Sequence, residues 1–202
     1  MSRRKPRLPD GEVRLLAGQW RGRKLAFPAS EGLRPTGARI RETLFNWLMH
    51  DIEGARCLDL FAGSGALGFE ALSRGASSVI AIEQNRQAAR QLETSATGLS
   101  AQGYDVYCAD ALAWLEKQPA IPQDIVFLDP PFADGLLART ARLLAAGGWL
   151  QDGALVYAET ARAHSLVDAL GGLPENWQLH REAGAGGVCF GLFRVRKPDL
   201  PH

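Results

Sequence analysis

Two short stretches of this 202-residue sequence hold residue types at spacings that could do chemistry. The first is Leu58-Asp-Leu-Phe-Ala-Gly63-Ser-Gly65-Ala-Leu-Gly68. Glycines that follow an apolar run and open a helix let the chain turn tightly, and they bring a ligand close to the amides of the helix N-terminus. Phe61, Gly63, Ser64 and Gly65 are the candidate contacts. Asp59 falls just before the turn, and Glu83 ends the next apolar run, where a carboxylate can accept hydrogen bonds from both hydroxyls of a ribose. Asp110, followed by Ala111, closes a third run and could contact an adenine amino group. Each acid also has a plainer explanation as a helix cap, a surface ion pair or turn chemistry. The glycine pattern alone occurs in any dinucleotide-binding protein and in ordinary strand-to-helix turns.

The second stretch is Asp124-Ile-Val-Phe-Leu-Asp129-Pro130-Pro131-Phe132. Consecutive prolines fix φ and remove amide donors, so the segment becomes a rigid ledge whose carbonyls are free to accept hydrogen bonds. An exocyclic amine on an aromatic ring needs such acceptors, because its lone pair is delocalised into the ring. Hydrogen bonds from the amine to the Asp129 carboxylate and the Pro130 carbonyl would bias the nitrogen towards tetrahedral geometry. Phe132 would stack on a base that has left its helix. An isolated Asp-Pro-Pro-Phe is more often a turn with a packed ring. Here it ends the fourth strand of a series that begins at a nucleotide-type glycine turn, on the edge where open α/β sheets bind ligands. The conjunction selects S-adenosylmethionine over nicotinamide: a sulfonium-borne methyl needs only positioning, with no nucleophilic side chain and no metal.

The elements that must position these residues can be read from hydrophobic period. Val13 to Trp20 and Lys24 to Phe27, around Arg21-Gly22-Arg23, read as a β-hairpin. Pro28 to Pro35 reads as a loop, and Thr36 as the N-cap of a helix whose stripe is Ile40, Leu44, Trp47 and Leu48, with Arg39 and Arg41 on more exposed faces. Strands at 57–61, 79–83, 106–108, 125–128 and 154–159 then alternate with helices at 66–74, 86–99, 112–117 and 136–146. That alternation implies right-handed crossovers and a mostly parallel sheet covered on both faces. Trp177 to Arg181 and Val188 to Val195 form a closing pair, the latter expected antiparallel at the far end of the sheet.

Composition agrees with one globular core: 46% of residues are hydrophobic and 22% charged. No apolar run approaches the ~20 residues of a membrane helix, and the N-terminus lacks a secretory signal, so a cytoplasmic protein is expected. Cys57, Cys108 and Cys189 are too scattered for a zinc site or a disulfide framework, and they read as small buried apolar residues. The net charge of +1 hides an asymmetry. Residues 1–41 hold eleven Lys and Arg against three acids, and the remainder hold 12 basic and 19 acidic residues. Arg3, Arg4, Lys5 and Arg7 could be no more than a solvated tail. Arg14, Arg21, Arg23, Lys24, Arg34, Arg39 and Arg41 are interleaved with structure signals and, with Thr36, form a candidate phosphate-tracking surface. Residues 1–35 thus read as a basic RNA-binding extension and 36–202 as the catalytic domain.

From Arg14 to Arg196 the chain resembles the RsmD family of bacterial methyltransferases. The carrying segments are Leu16-Ala-Gly-Gln-Trp-Arg-Gly-Arg-Lys-Leu, Arg34-Pro-Thr-Gly-Ala-Arg-Ile-Arg-Glu-Thr-Leu-Phe-Asn-Trp-Leu, the glycine stretch from Leu58 onward, and Phe127-Leu-Asp-Pro-Pro-Phe. The Arg-Pro-Thr segment discriminates best, since many amino-methyltransferases share the others. The resemblance implies a class I, Rossmann-like fold with a seven-stranded sheet and a bound S-adenosylmethionine. It further implies methylation of a guanine N2 in 16S ribosomal RNA, within the small subunit or an assembly intermediate. A monomer is expected. The glycine-rich Ala183 to Gly187 is unusual for that pattern and is expected to loosen the last hairpin. Two rival readings stay open: another amino-methyltransferase, acting on DNA adenine or a protein amide, and a non-catalytic nucleotide-binding module with a basic tether.

Overall fold

A computed structural model describes residues 11–28, 36–131, 135–162 and 164–196. The N-terminal tail, Arg34 and Phe132 lie outside the described residues. The chain opens with strands β1 (Gly11–Arg14) and β2 (Lys24–Phe27), an antiparallel pair in which Val13, Leu25 and Phe27 point inward. Then follow α1 (Ala38–Trp47), β3 (Arg56–Asp59), α2 (Ala66–Ser73), β4 (Ser78–Ile82), α3 (Arg86–Leu99) and β5 (Tyr104–Tyr107). The second half runs α4 (Ala111–Lys117), β6 (Gln123–Leu128), α5 (Leu136–Ala146), β7 (Leu150–Ala161), α6 (Leu166–Ala169), β8 (Trp177–Ala185) and β9 (Val188–Val195).

The seven-stranded sheet has the order β5-β4-β3-β6-β7-β9-β8. Strands β3 to β7 are parallel, and β9 pairs antiparallel with both β7 and β8. Alternation along each central strand feeds two buried clusters. Cys57, Val79, Phe127 and Tyr157 face α1, α2, α3 and the hairpin, while Leu58, Ile82, Val126 and Val156 face α4, α5 and α6. The expected mostly parallel sheet with helices on both faces and a small N-terminal hairpin is therefore present. Among the described residues no helix is long and apolar enough to cross a membrane.

Several expectations are corrected. β1 stops at Arg14 instead of running on to Trp20, because the intervening loop leaves the ladder to dock on α2. There Gln19 N donates to Ser73 O at 2.8 Å, and Leu16 N and Ala17 N donate to the two Glu70 oxygens at 2.8 and 3.0 Å. The last strand does not lie at the far end: β9 is inserted between β7 and β8, so β8 is the edge. The glycine-rich stretch does not loosen that hairpin, since pairing continues through Gly184↔Cys189 and Ala185↔Val188 to a two-residue turn. Cys57 is buried as expected, but Cys108 is exposed and Cys189 half-buried. The short α6 carries too few residues to show a helical period.

Candidate active site

A cavity of about 720 Å³ opens at the carboxyl ends of the parallel strands, within the roughly 300–1,000 Å³ usual for small-molecule sites. It lies where the strand order reverses, between β3 and β6, the switch point at which open α/β sheets bind ligands. The sheet alternation explains which side chains reach it. Asp59, Glu83, Asp129 and Glu159 each stand two residues after an apolar residue of the helix α1–α2 face, namely Cys57, Ala81, Phe127 and Tyr157. Period-two continuation therefore sets four carboxylates in a row on one face, at the ends of the neighbouring strands β4, β3, β6 and β7.

The predicted cofactor residues converge. Asp59, Phe61, Gly63, Ser64, Glu83, Asp110, Ala111 and Asp129 all line the cavity. Gly65 does not line it but makes the turn possible. It caps α2 at φ 75°, and a Cβ there would sit 2.6 Å from Leu92 Cδ2. Gly68 brings α2 against the sheet, where a Cβ would stand 3.0 Å from Val79 Cγ1 and the Tyr104 hydroxyl. Glu83 braces the turn: its Oε2 accepts from Gly63 N at 2.8 Å and its Oε1 from Asn85 N at 2.7 Å. A carboxylate has about four acceptor positions, so capacity for two further donors remains. Asp110 caps α4 by accepting from Ala113 N, and it still faces the cavity.

Asp59 is 1% exposed, and its Oδ2 has no hydrogen-bond partner among the described residues. Burial pushes its carboxyl up to about 7; the charges of Asp129 and Glu83 add to this, while the Phe61 and Gly68 amides pull the other way. At the ledge, Thr36 Oγ1 donates to Asp129 Oδ2 at 2.9 Å, and Pro130 and Pro131 continue the wall. Thr36 was the expected N-cap of α1. Gly37 occupies that position without a side-chain cap bond, and the Thr36 hydroxyl goes to the ledge instead. Burial raises the Asp129 carboxyl, opposed by Thr36. Burial and then the Asp129 charge raise Glu159, which accepts the Tyr157 hydroxyl at 2.5 Å.

The basic candidates divide. Arg14, Arg21, Arg23, Lys24 and Arg39 are exposed. Arg23 Nη2 reaches Gly98 O at 3.2 Å, and Lys24 pairs with Glu12 across the hairpin at 2.7 Å. Arg41 is a correction: it is 2% exposed, not on an outer face. Its guanidinium donates to Thr36 O, Arg14 O and Glu70 Oε2, which leaves it unavailable to a phosphate. It falls inward because its flank of α1 faces the wholly buried Glu70 of α2 and the Arg14 carbonyl.

The sequence reading missed Glu159, Tyr157 and the role of Glu70. A signal for Glu159 existed, since it follows the apolar run 154–158 in the same register as the three other acids.

The chain has clear relatives. The family described as "Conserved hypothetical protein 95" matches residues 13–194. Ribosomal RNA small subunit methyltransferase D of Escherichia coli strain K12 is 49% identical over 185 residues, covering 92% of this chain and 91% of the relative. The protein of that name from Haemophilus influenzae is 46% identical over 187 residues, covering 91% and 94%. The solved structure of yhhF from Escherichia coli superposes with a TM-score of 0.84 at 46% identity, covering 93% of this chain and 100% of that one. With nearly its whole length matched in sequence and in shape, the chain belongs to the RsmD family, the one described as conserved hypothetical protein 95.

Proposed function

We propose that this chain is an S-adenosylmethionine-dependent methyltransferase acting on ribosomal RNA, and that its target is the N2 amine of a guanine in the assembled small subunit. One observation carries the cofactor reading. The cavity is lined by five carboxylates, Asp59, Glu83, Asp110, Asp129 and Glu159, and by no Lys or Arg among the described residues. Such a wall suits a ligand bearing a sulfonium and an ammonium, and it opposes the anionic diphosphate of a nicotinamide dinucleotide. The unpartnered Asp59 Oδ2 fits a cationic donor, and the spare acceptor positions of Glu83 fit ribose hydroxyls. The names of the relatives support ribosomal RNA as the substrate.

When bound, the cofactor supplies an electrophilic methyl group. The chain supplies the geometry. Asp129 and the Pro130 carbonyl accept the amine's hydrogens and fix its lone pair towards the glycine turn, so that most of the acceleration comes from positioning. Asp129, held by Thr36, or water receives the proton released after transfer. Phe132 supplies the stacking face for the base, and Phe61, Ser64, Gly65 and Ala111 shape the cofactor's bed. Residues 1–35 act as the RNA-facing extension of the 36–202 body. Arg14, Arg21, Arg23, Lys24, Arg34 and Arg39 grip phosphates without reading sequence.

Calorimetry with S-adenosylmethionine and with NAD, followed by labelled-methyl transfer to small ribosomal subunits, naked RNA and DNA, tests the reading. Tight binding of the first cofactor and labelling of the subunits are expected. Preferential binding of NAD, or labelling of DNA alone, would overturn it.

A further inference from the structure

The strand order gives the cavity two ends. Asp110 and Glu83 belong to the β5–β4 side, Glu159 to β7, and Asp129 lies between them. A ribose held by Glu83 therefore occupies the end away from Glu159. A base whose amine rests on Asp129 and Pro130 then presents the next atom of its ring towards β7, where Glu159 waits.

The surroundings of Glu159 fix its place. It is 3% exposed, and its Oε1 takes the hydroxyl of Tyr157, which is itself fixed beside Phe127 and Phe190. Across from it, Leu128 and Ala158 are register partners, which sets Glu159 next to Asp129. Val188 supplies apolar wall. No ion pair among the described residues neutralises it.

The bases that carry an exocyclic amine differ in what stands beside it. Guanine places an N1–H donor next to its amine, whereas adenine places the N1 lone pair and cytosine the N3 lone pair there. We propose that Glu159 is the residue that selects guanine: its carboxylate accepts the N1–H of a base whose amine lies on Asp129 and Pro130. The inference rests on the methyl-transfer reading above. Adenine or cytosine in the same pose would set a lone pair against Glu159, and against the ionised carboxylate both acceptors would be left unpaired. Sites built around such a hydrogen bond reject analogues that lack it by large factors. Before a base binds, burial and the charge of Asp129 favour neutral Glu159; Asp129, which follows β6, and Tyr157 on its own strand are the titratable groups facing it. An arriving N1–H supplies the donor that stabilises the ionised form, and the displaced proton leaves to water.

2-Aminopurine carries guanine's amine but has a lone pair at N1 and no 6-oxo group, so the change in preference between wild type and a Glu159 variant is what assigns the difference to this contact. The fluorescence of 2-aminopurine riboside, and its displacement by guanosine, can be followed on the full chain saturated with S-adenosylhomocysteine. Wild type should prefer guanosine by about tenfold or more. In Glu159→Gln, whose amide can donate, the preference should collapse or invert, with a lower kcat/KM on small subunits. An unchanged preference in Glu159→Gln, or the binding of neither nucleoside to wild type, overturns the proposal. Failure of wild type to methylate any RNA, with the nucleoside preference intact, would instead overturn the functional reading.

Discussion

Buried carboxylates are treated in two opposite ways in this chain. Around Glu70 every acceptor is met: two backbone amides of the hairpin loop, Arg41 at 3.3 Å and Arg74 at 2.8 Å, with Arg74 also lying 4.9 Å over the Phe45 ring. At the strand ends Asp59, Glu83, Asp129 and Glu159 share backbone amides and two hydroxyls, and no cation among the described residues pairs with them. The first arrangement holds the hairpin to α1 and α2. The second holds unfavourable charge that a proton or a ligand relieves, which marks a binding site and not a stabilising device.

The contrast is broken most forcefully by Glu70→Ala. It would strand the Arg41 guanidinium and two loop amides in the interior, and should cost about 3–5 kcal/mol, read as a lower urea midpoint at unchanged slope. A loss below about 1 kcal/mol would show that the collar does not carry the hairpin. Asp129→Asn should do the reverse. Folding stability should hold or rise, since a like charge is removed, while turnover falls by about 10²-fold or more with near-normal cofactor binding.

Much of this contrast was legible in the sequence, and the part that was not has a physical reason. The glycine turn and the diproline ledge announce themselves because backbone conformation demands those residue types locally. Their meeting at one cavity follows from the parallel alternation, which the hydrophobic period also shows. Arg41 was misplaced because helical period gives a residue's angle about its own axis and not which flank a second helix will cover. Thr36 looked like a cap since its local sequence allows one, and the Asp129 carboxylate, 93 positions away in the chain, offered the better partner. β9 was set at the edge because nothing in the order of strands along the chain reveals an insertion between two earlier neighbours.

Acid titration sharpens the comparison further. A carboxyl whose folded value lies above its unfolded one binds its proton more tightly in the folded state. The resulting penalty is absent below the unfolded value, grows as pH rises between the two, and is complete above the folded one. For Asp59 that window runs from 3.8 to about 7, so wild type should gain stability as pH is lowered from 8 towards 5. The share of Asp59 in that gain is about 3 kcal/mol at most, two units of the window at 1.36 kcal/mol per unit. Asp59→Asn should make that dependence shallower, leaving the share of Asp129 and Glu159, stabilise the chain at pH 8 and weaken cofactor binding. Melting curves across pH that overlay for the two proteins would remove Asp59 from the uncompensated row.

The smallest stability effect belongs to the hairpin tip, where charge serves neither arrangement. Arg21 and Arg23 are exposed, and the Arg23 contact to Gly98 O lies at the surface. Solvent already satisfies both guanidinium groups, so Arg21→Glu with Arg23→Glu should leave folding stability within about 0.5 kcal/mol. Binding to RNA should respond differently, because each cation that neutralises a phosphate releases condensed counterions. Removing two such contacts should make the slope of log affinity against log salt shallower by about 2 and lower affinity most at low ionic strength. Titrations of small-subunit RNA at several salt concentrations distinguish the outcomes: an unchanged slope would mean that the hairpin is held by the Glu70 collar for a purpose other than gripping phosphates.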